Sequence, residues 1–203
     1  MAFFPILIEM RDLPVLIAGG GGIAAHKAEL LRSYGARITV AAPEISDEIV
    51  SMDVETILRE VTIEDCFGKA LVVDATGSEE AGSILKRWCG EHFVPYNCAW
   101  RGDDATAIFP AILQRGRTTI AVSTRGASPA ACAWLRDSLK DAVPETMDDI
   151  LERMSELRVF AKEKIPVQKE RSAFLHRCLS EMLEKKRSLS EDEALAMMDM
   201  KEK

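Results

Sequence analysis

Little in this sequence announces a chemistry by itself. Histidine occurs three times, at His26, His92 and His176, and no two of them stand at metal-ligand spacing, so no protein-built metal site is expected. The five cysteines, Cys66, Cys89, Cys98, Cys132 and Cys178, are odd in number and scattered, without a CxxC pair. They read as reduced, mostly buried thiols of a cytoplasmic protein, which excludes a disulfide framework. A basic excess is missing too. The formal net charge of −7 argues against nucleic-acid binding, since polyanion binders carry a basic patch or stripe. Any anionic ligand must be held by local arginines or backbone amides. No apolar run approaches the roughly 18 residues that cross a bilayer, so no membrane partner is expected. The start, MAFFPILIEMRDLPVLIAGGGG, carries Glu9, Arg11 and Asp12 in its middle and lacks the basic leader of a signal peptide. No internal repeat is visible.

What is present is enough apolar material for a real core, 47% of 203 residues, in one compact domain with an appendage or in two small domains. PVLIAG (14–19) is a short apolar run that stops at glycines, and from Ile23 the spacing turns helical through Ala24, Ala28, Leu30 and Leu31. Gly35 ends that helix, and ARITVAAP (36–43) is β-branched until Pro43 stops it. A weaker strand lies at 54–58, ALVVDAT (70–76) is another, a helix runs through Ile84, Leu85 and Trp88, and PYNCA (95–99) is a further strand. Alternating strands and helices predict an α/β fold with a doubly wound parallel sheet, whose ligands sit at the carboxyl ends of the strands.

Beyond Pro110 the texture changes. TTIAVST (118–124) reads as a strand, RGASP as a turn, and AACAWLRDSLKDAV as a helix up to Pro144. From Glu145 the chain is charged and helical in period, with Ile150, Met154 and Leu157 on one stripe and Phe174, Leu175, Leu179 and Leu183 on another. The expected organisation is a cofactor-binding domain over 1–113, a small region over 114–144 and a helical domain over 145–203.

IAGGGGIAA places Gly19, Gly21 and Ala24 in the G-x-G-x-x-G/A pattern, after a strand and at the head of a helix. Gly19 permits the tight turn, Gly21 lets backbone amides approach a pyrophosphate, and Ala24 lets the helix pack close to the sheet. The helix N-terminus then faces negative charge. The second strand ends in Ala41, Ala42 and Pro43 rather than in an acidic residue that would hold ribose hydroxyls; Glu44 is the nearest candidate. NAD and NADP both remain open, with NAD favoured because no arginine lies just beyond the strand. In DATGSEE (74–80), Ala75, Thr76 and Gly77 leave room for a flat ring; Ser78 and Glu80 equally fit an ordinary helix start.

Three separated stretches, "PVLIAGGGGIAAHKAELLRSYGARITVAAPE", "NCAWRGDDATAIFPAIL" and "TIAVSTRGASPAACAWLRDSL", together resemble the precorrin-2 dehydrogenase and sirohydrochlorin ferrochelatase family, the NAD-dependent module of siroheme synthesis. The resemblance covers residues 3 to about 144 well and the tail loosely. It implies a homodimer with a Rossmann-type domain, a dimerisation region at 114–144 and a C-terminal helical domain. It further implies oxidation of precorrin-2 to sirohydrochlorin with NAD, followed in bifunctional members by ferrous iron insertion. By position, Gly22, Ile23, Pro43 and Glu44 would touch NAD, and Ser128 would face the tetrapyrrole pocket. Precorrin-2 is flat and fringed with carboxylates, so an acidic protein needs local cations, and Arg101, Arg115, Arg117 and Arg125 stand near the motifs.

One position departs from the family pattern. The aspartate expected three residues after Asn97 is Trp100 here, and Asp103 and Asp104 follow it. Either could replace the missing base through a rearranged loop, or both could be ionised loop carboxylates. Loss of the base would weaken iron insertion more than hydride transfer, which relies on placing the substrate carbon. An enzyme is therefore the first reading, and a dinucleotide or tetrapyrrole-binding protein without catalysis is the alternative. An unrelated dinucleotide-binding domain would leave FPAIL and STRGASP unexplained. His26 could approach the pyrophosphate, while His92 and His176 fit packing roles.

Overall fold

The structure, a computed structural model, describes residues 3–101 and 104–199. Five strands build the first sheet: β1 (Pro14–Ala18), β2 (Arg37–Ala41), β3 (Glu55–Ile57), β4 (Leu71–Asp74) and β5 (Tyr96–Cys98). Their order is β3-β2-β1-β4-β5 and every pairing is parallel. From Val15 to Ala18 β1 has no exposed surface, as a central parallel strand covered on both faces requires. Alternation divides its side chains. Val15 and Ile17 pack with Ala24, Ala25, Ala28 and Leu31 of α1 (Gly22–Ser33), while Leu16 and Ala18 pack with Leu85, Trp88 and Cys89 of α3 (Glu79–Glu91). A short α2 (Asp47–Val50) follows β2.

The register sets the strand ends level. Ala18 pairs with Ala41 on one side and with Asp74 on the other, and Asp74 pairs in turn with Cys98. The chain reverses its direction of travel across the sheet between β1 and β4, so the loops after both strands open into the same crevice, where ligands of such sheets bind.

The chain forms two compact units that divide between Phe109 and Pro110. The second begins with a strand that the sequence pattern did not reveal: β6 (Ala111–Arg115) pairs antiparallel with β7 (Thr118–Val122). Gly116, at φ +53°, makes the reversal between them. Residues 111–113 thus belong to this hairpin and not to the parallel sheet. FPAIL hides its strand because the run is short and Pro110 reads as a breaker. α4 starts earlier than expected, at Pro129, and ends at Ser138, with a tighter turn over Lys140–Ala142 before Val143. Helices α5 (Met147–Lys164), α6 (Gln168–Lys185) and α7 (Glu191–Asp199) follow. Ile150, Leu157, Phe174, Cys178 and Met182 form their core. Leu183, expected on the apolar stripe, is exposed; Met182, one position earlier, points inward instead.

Between β3 and β4 a short 3-10 turn, Ile63–Cys66, carries the buried Asp65, paired with the half-exposed Arg59. Asp65 receives both Arg59 Nη atoms at 2.7 Å and the Thr62 N–H at 2.8 Å. The Arg59 hydrogen bonds, helped by that of Thr62, hold the Asp65 carboxyl below its ordinary range. Its stabilising effect is therefore complete above the unfolded value of about 4 and fades as pH falls through the lower native value. Urea midpoints taken from neutral pH down to about 2 should fall across that interval, and Asp65→Asn should flatten the fall while lowering the neutral-pH midpoint.

Candidate active site

The glycine loop joins β1 to α1, and its glycines have different reasons for being there. Gly19 adopts φ +113°, and a Cβ on it would lie 2.4 Å from the Ala75 carbonyl oxygen. On Gly20, which the motif treats as a free position, a Cβ would lie 1.9 Å from the Glu44 carbonyl oxygen. The loop is thus wedged between the chain leaving β4 and the chain leaving β2, and the Ser46 N–H donates to the Gly20 carbonyl at 2.9 Å. Gly21 and Gly22 face open space, with no heavy atom within 4 Å of a Cβ on either.

Gly21 caps α1 with no side-chain hydrogen bond, and the first turn holds no acidic residue. The amides at this helix start are therefore presented to the open space, the arrangement that holds a phosphate. Ile23 is 53% exposed beside them, and Ala24 is fully buried against the sheet. Exposed Pro43 and Glu44 follow β2, and half-buried Ala75 and Thr76 follow β4. The first unit thus gathers Gly19, Gly21, Gly22, Ile23, Ala24, Pro43, Glu44, Ala75 and Thr76 around adjoining strand ends. The residues present fit a dinucleotide: two glycines without neighbours leave room for it, and unpaired helix amides meet its charge.

The loop after β5 is bound to α3. The Asn97 Nδ2 donates to the Ala107 carbonyl at 2.9 Å, and the Thr106 and Ala107 amides donate to the Tyr96 carbonyl. Asp104, a candidate base, meets Lys86 Nζ at 2.5 Å and Arg101 Nε at 3.5 Å. The Lys86 hydrogen bond and charge, with a smaller effect of Arg101, lower its pKa, which weakens it as a proton acceptor. Asp103, the other candidate, lies outside the described residues. Arg101 Nη1 also reaches Glu79 at 2.7 Å, so this arginine already has carboxylate partners. Trp100 donates its indole N–H to the Asp74 carboxylate at 3.2 Å.

Arg125 and Ser128 share one turn of the second unit. Arg125 sits at φ +55° and is exposed. Ser128 caps α4 by accepting the Ala131 N–H at 3.1 Å, and its own N–H donates to Thr124 Oγ1 at 3.0 Å. Arg115 is committed to the carbonyls of Lys140 and Val143, and Arg117 to Asp148. His92 stacks on Trp88 with centroids 4.1 Å apart, His26 is exposed on α1, and His176 lies 3.5 Å from the Ser180 hydroxyl.

Sequence reading missed Gly20, Lys86 and Asp74. An unbroken GGGG gave a signal for the first, and an acidic residue ending a buried strand gave one for Asp74. Nothing in the sequence tied Lys86 to Asp104.

A glycine loop at the switch point of a parallel 3-2-1-4-5 sheet defines a Rossmann-type dinucleotide-binding domain. Residues 6–111 match the family described as "Putative NAD(P)-binding", and the chain belongs to that family. Among curated proteins it is 32% identical over 183 residues to the siroheme synthase of Methylococcus capsulatus, covering 88% of this chain and 39% of that protein. It is 30% identical over 203 residues to the siroheme synthase of Psychrobacter sp., covering 96% and 42%. The chain thus spans about two-fifths of the length of these relatives. The solved structure of SirC, a precorrin-2 dehydrogenase, superposes with a TM-score of 0.70 at 26% identity, over 97% of each chain.

Gly20→Ala should lower stability by more than about 2 kcal/mol, because its new Cβ meets backbone that cannot yield. Gly21→Ala should cost less than about 1 kcal/mol while weakening dinucleotide affinity about tenfold or more, since the methyl enters the ligand's space. Denaturation and calorimetric titration of both variants separate the two effects.

Proposed function

We propose that this chain oxidises precorrin-2 to sirohydrochlorin in siroheme biosynthesis, with NAD as hydride acceptor, as a cytoplasmic homodimer. The observation that carries the reading is the likeness to a precorrin-2 dehydrogenase along 97% of this chain, joined to a glycine loop with room for the cofactor. NAD held at this loop would supply the hydride acceptor for oxidation of the macrocycle. One proton leaves with each hydride, so substrate and NAD⁺ give sirohydrochlorin, NADH and H⁺.

The chain's own residues supply placement. Amides of Gly22 and Ile23 would hold the pyrophosphate, Glu44 and Pro43 would border the ribose, and Ala75 and Thr76 would border the nicotinamide. Arg125 and Ser128 take substrate carboxylates in the second unit. Asp104, neutralised by Lys86 and Arg101, holds the loop after β5 and is a weak base; positioning then carries most of the rate and the proton is released to water. Trp100 in place of a carboxylate is the specific observation that favours the second reading, a binding protein without turnover. It also makes iron insertion, in which pyrrole protons must be removed, the more vulnerable activity.

Region 114–144 is proposed as the dimer contact. Helix α4 buries no residue, and Trp134 and Leu135 are 67% and 38% exposed on it. Such an apolar face is the usual mark of a subunit contact.

Purified protein given precorrin-2 and NAD should form NADH and the sirohydrochlorin spectrum together; absence of both overturns the enzyme reading. Asp104→Asn should keep kcat within about threefold of wild type, whereas a loss beyond about a hundredfold with the fold intact would identify it as the base. Sedimentation should show a dimer that Trp134→Asp converts to monomer.

A further inference from the structure

Asp74 ends β4 with no exposed surface, and among the described residues no cation pairs with it. Its Oδ1 accepts the Thr76 N–H at 2.9 Å and the Thr76 hydroxyl at 2.7 Å. Its Oδ2 accepts the Tyr96 hydroxyl at 2.8 Å and the Trp100 indole N–H at 3.2 Å. The Cys98 thiol also lies 4.0 Å from Oδ2, so the roughly four lone-pair positions of a carboxylate are all occupied by neighbours within the protein. A buried polar group of this kind is tolerated only where its hydrogen bonds are complete.

The donors come from different places. Tyr96, 1% exposed, anchors the carboxylate from within the core. Thr76 and Trp100 stand just beyond the ends of β4 and β5, where a ligand of this sheet lies. α3 closes against the same group: a Cβ on Gly82 would fall 2.7 Å from Asp74 Oδ2. One side chain therefore ties the turn after β4 to the residue that occupies the family's carboxylate position.

We propose that Asp74 is a positioning residue of this site, fixing Trp100 and the Thr76 turn as one rigid wall against which the flat macrocycle is placed. This rests on the dehydrogenase reading above. Trp100 then contributes a fixed aromatic face suited to a conjugated ring, and Asp74 acts only through it and Thr76.

The full chain is tested with Trp100→Phe, which keeps a ring and removes the N–H, with Thr76→Val, and with Asp74→Asn, which sets an amide against two donors. Trp100→Phe and Asp74→Asn should each lower kcat about tenfold or more with KM for NAD within about threefold, and the double variant should be no worse than the poorer single. In protein carrying nitrogen-labelled tryptophan, the indole N–H signal that Trp100→Phe removes should exchange slowly in wild type and quickly in Asp74→Asn. Should Asp74→Asn fail to fold, Thr76→Val takes its place, with a partial loss of kcat and faster indole exchange expected. A Trp100→Phe enzyme within about twofold of wild-type kcat, or an indole N–H that exchanges freely in wild type, overturns the proposal. If wild type shows no turnover, the dehydrogenase reading has failed, and sirohydrochlorin binding decides: weakened binding in Trp100→Phe and in the folded Asp74→Asn or Thr76→Val variant supports the wall, and unchanged binding overturns it.

Discussion

Two backbone contacts without room for a single methyl group hold the first unit's crevice open. Gly19 lies against the Ala75 carbonyl and Gly20 against the Glu44 carbonyl, so the chains leaving β4 and β2 pinch the glycine loop from both sides. Because the loop cannot move inward, Gly21 and Gly22 are held outward into free space, and α1 begins with its amides unblocked. The helix is fixed in turn by Ala24, Ala25 and Ala28, whose small side chains let it approach β1 closely. Phosphate-binding geometry here follows from steric exclusion elsewhere in the loop.

The rim opposite is organised by charge. A buried carboxylate is tolerated in an apolar sheet end only when its lone pairs are satisfied, and Asp74 meets that condition by drawing in Thr76, Tyr96 and Trp100. Further out, Glu79, Arg101, Asp104 and Lys86 form a chain of ion pairs that fastens the loop after β5 to α3. Exposed pairs of this kind stabilise weakly one at a time, but here they occupy side chains that would otherwise be free to meet a ligand. A carboxylate and an arginine that look available in the sequence are already engaged with each other.

The parallel sheet was legible because β1, β2 and β4 are short apolar runs bounded by glycine, proline or polar residues and α1 and α3 each have a helical period, whereas β3, Glu55–Ile57, gave only a weak signal. The phosphate loop was legible for a related reason: its spacing is local, and a turn, a close approach and a helix start need glycines at fixed offsets. β6 was not legible, since Ala111–Arg115 becomes a strand only by pairing with β7 across the Gly116 turn. Leu183 and Met182 exchanged places because a stripe read from adjacent positions on a helix is uncertain by one residue, and only the neighbouring helices select which side chain is covered.

The sequence by itself determined the strand and helix order of the parallel sheet, the glycine loop and the tryptophan at position 100, since all of these are properties of neighbours along the chain. Tertiary structure alone decided which groups are spent. Asp104 meets Lys86 across 18 residues and Trp100 meets Asp74 across 26, separations that only the sheet register closes. Hydrogen bonding and ion pairing fall off within a few ångströms, so whether a carboxylate is a free base, a clamp or an anchor is settled by folded neighbours that no local pattern encodes.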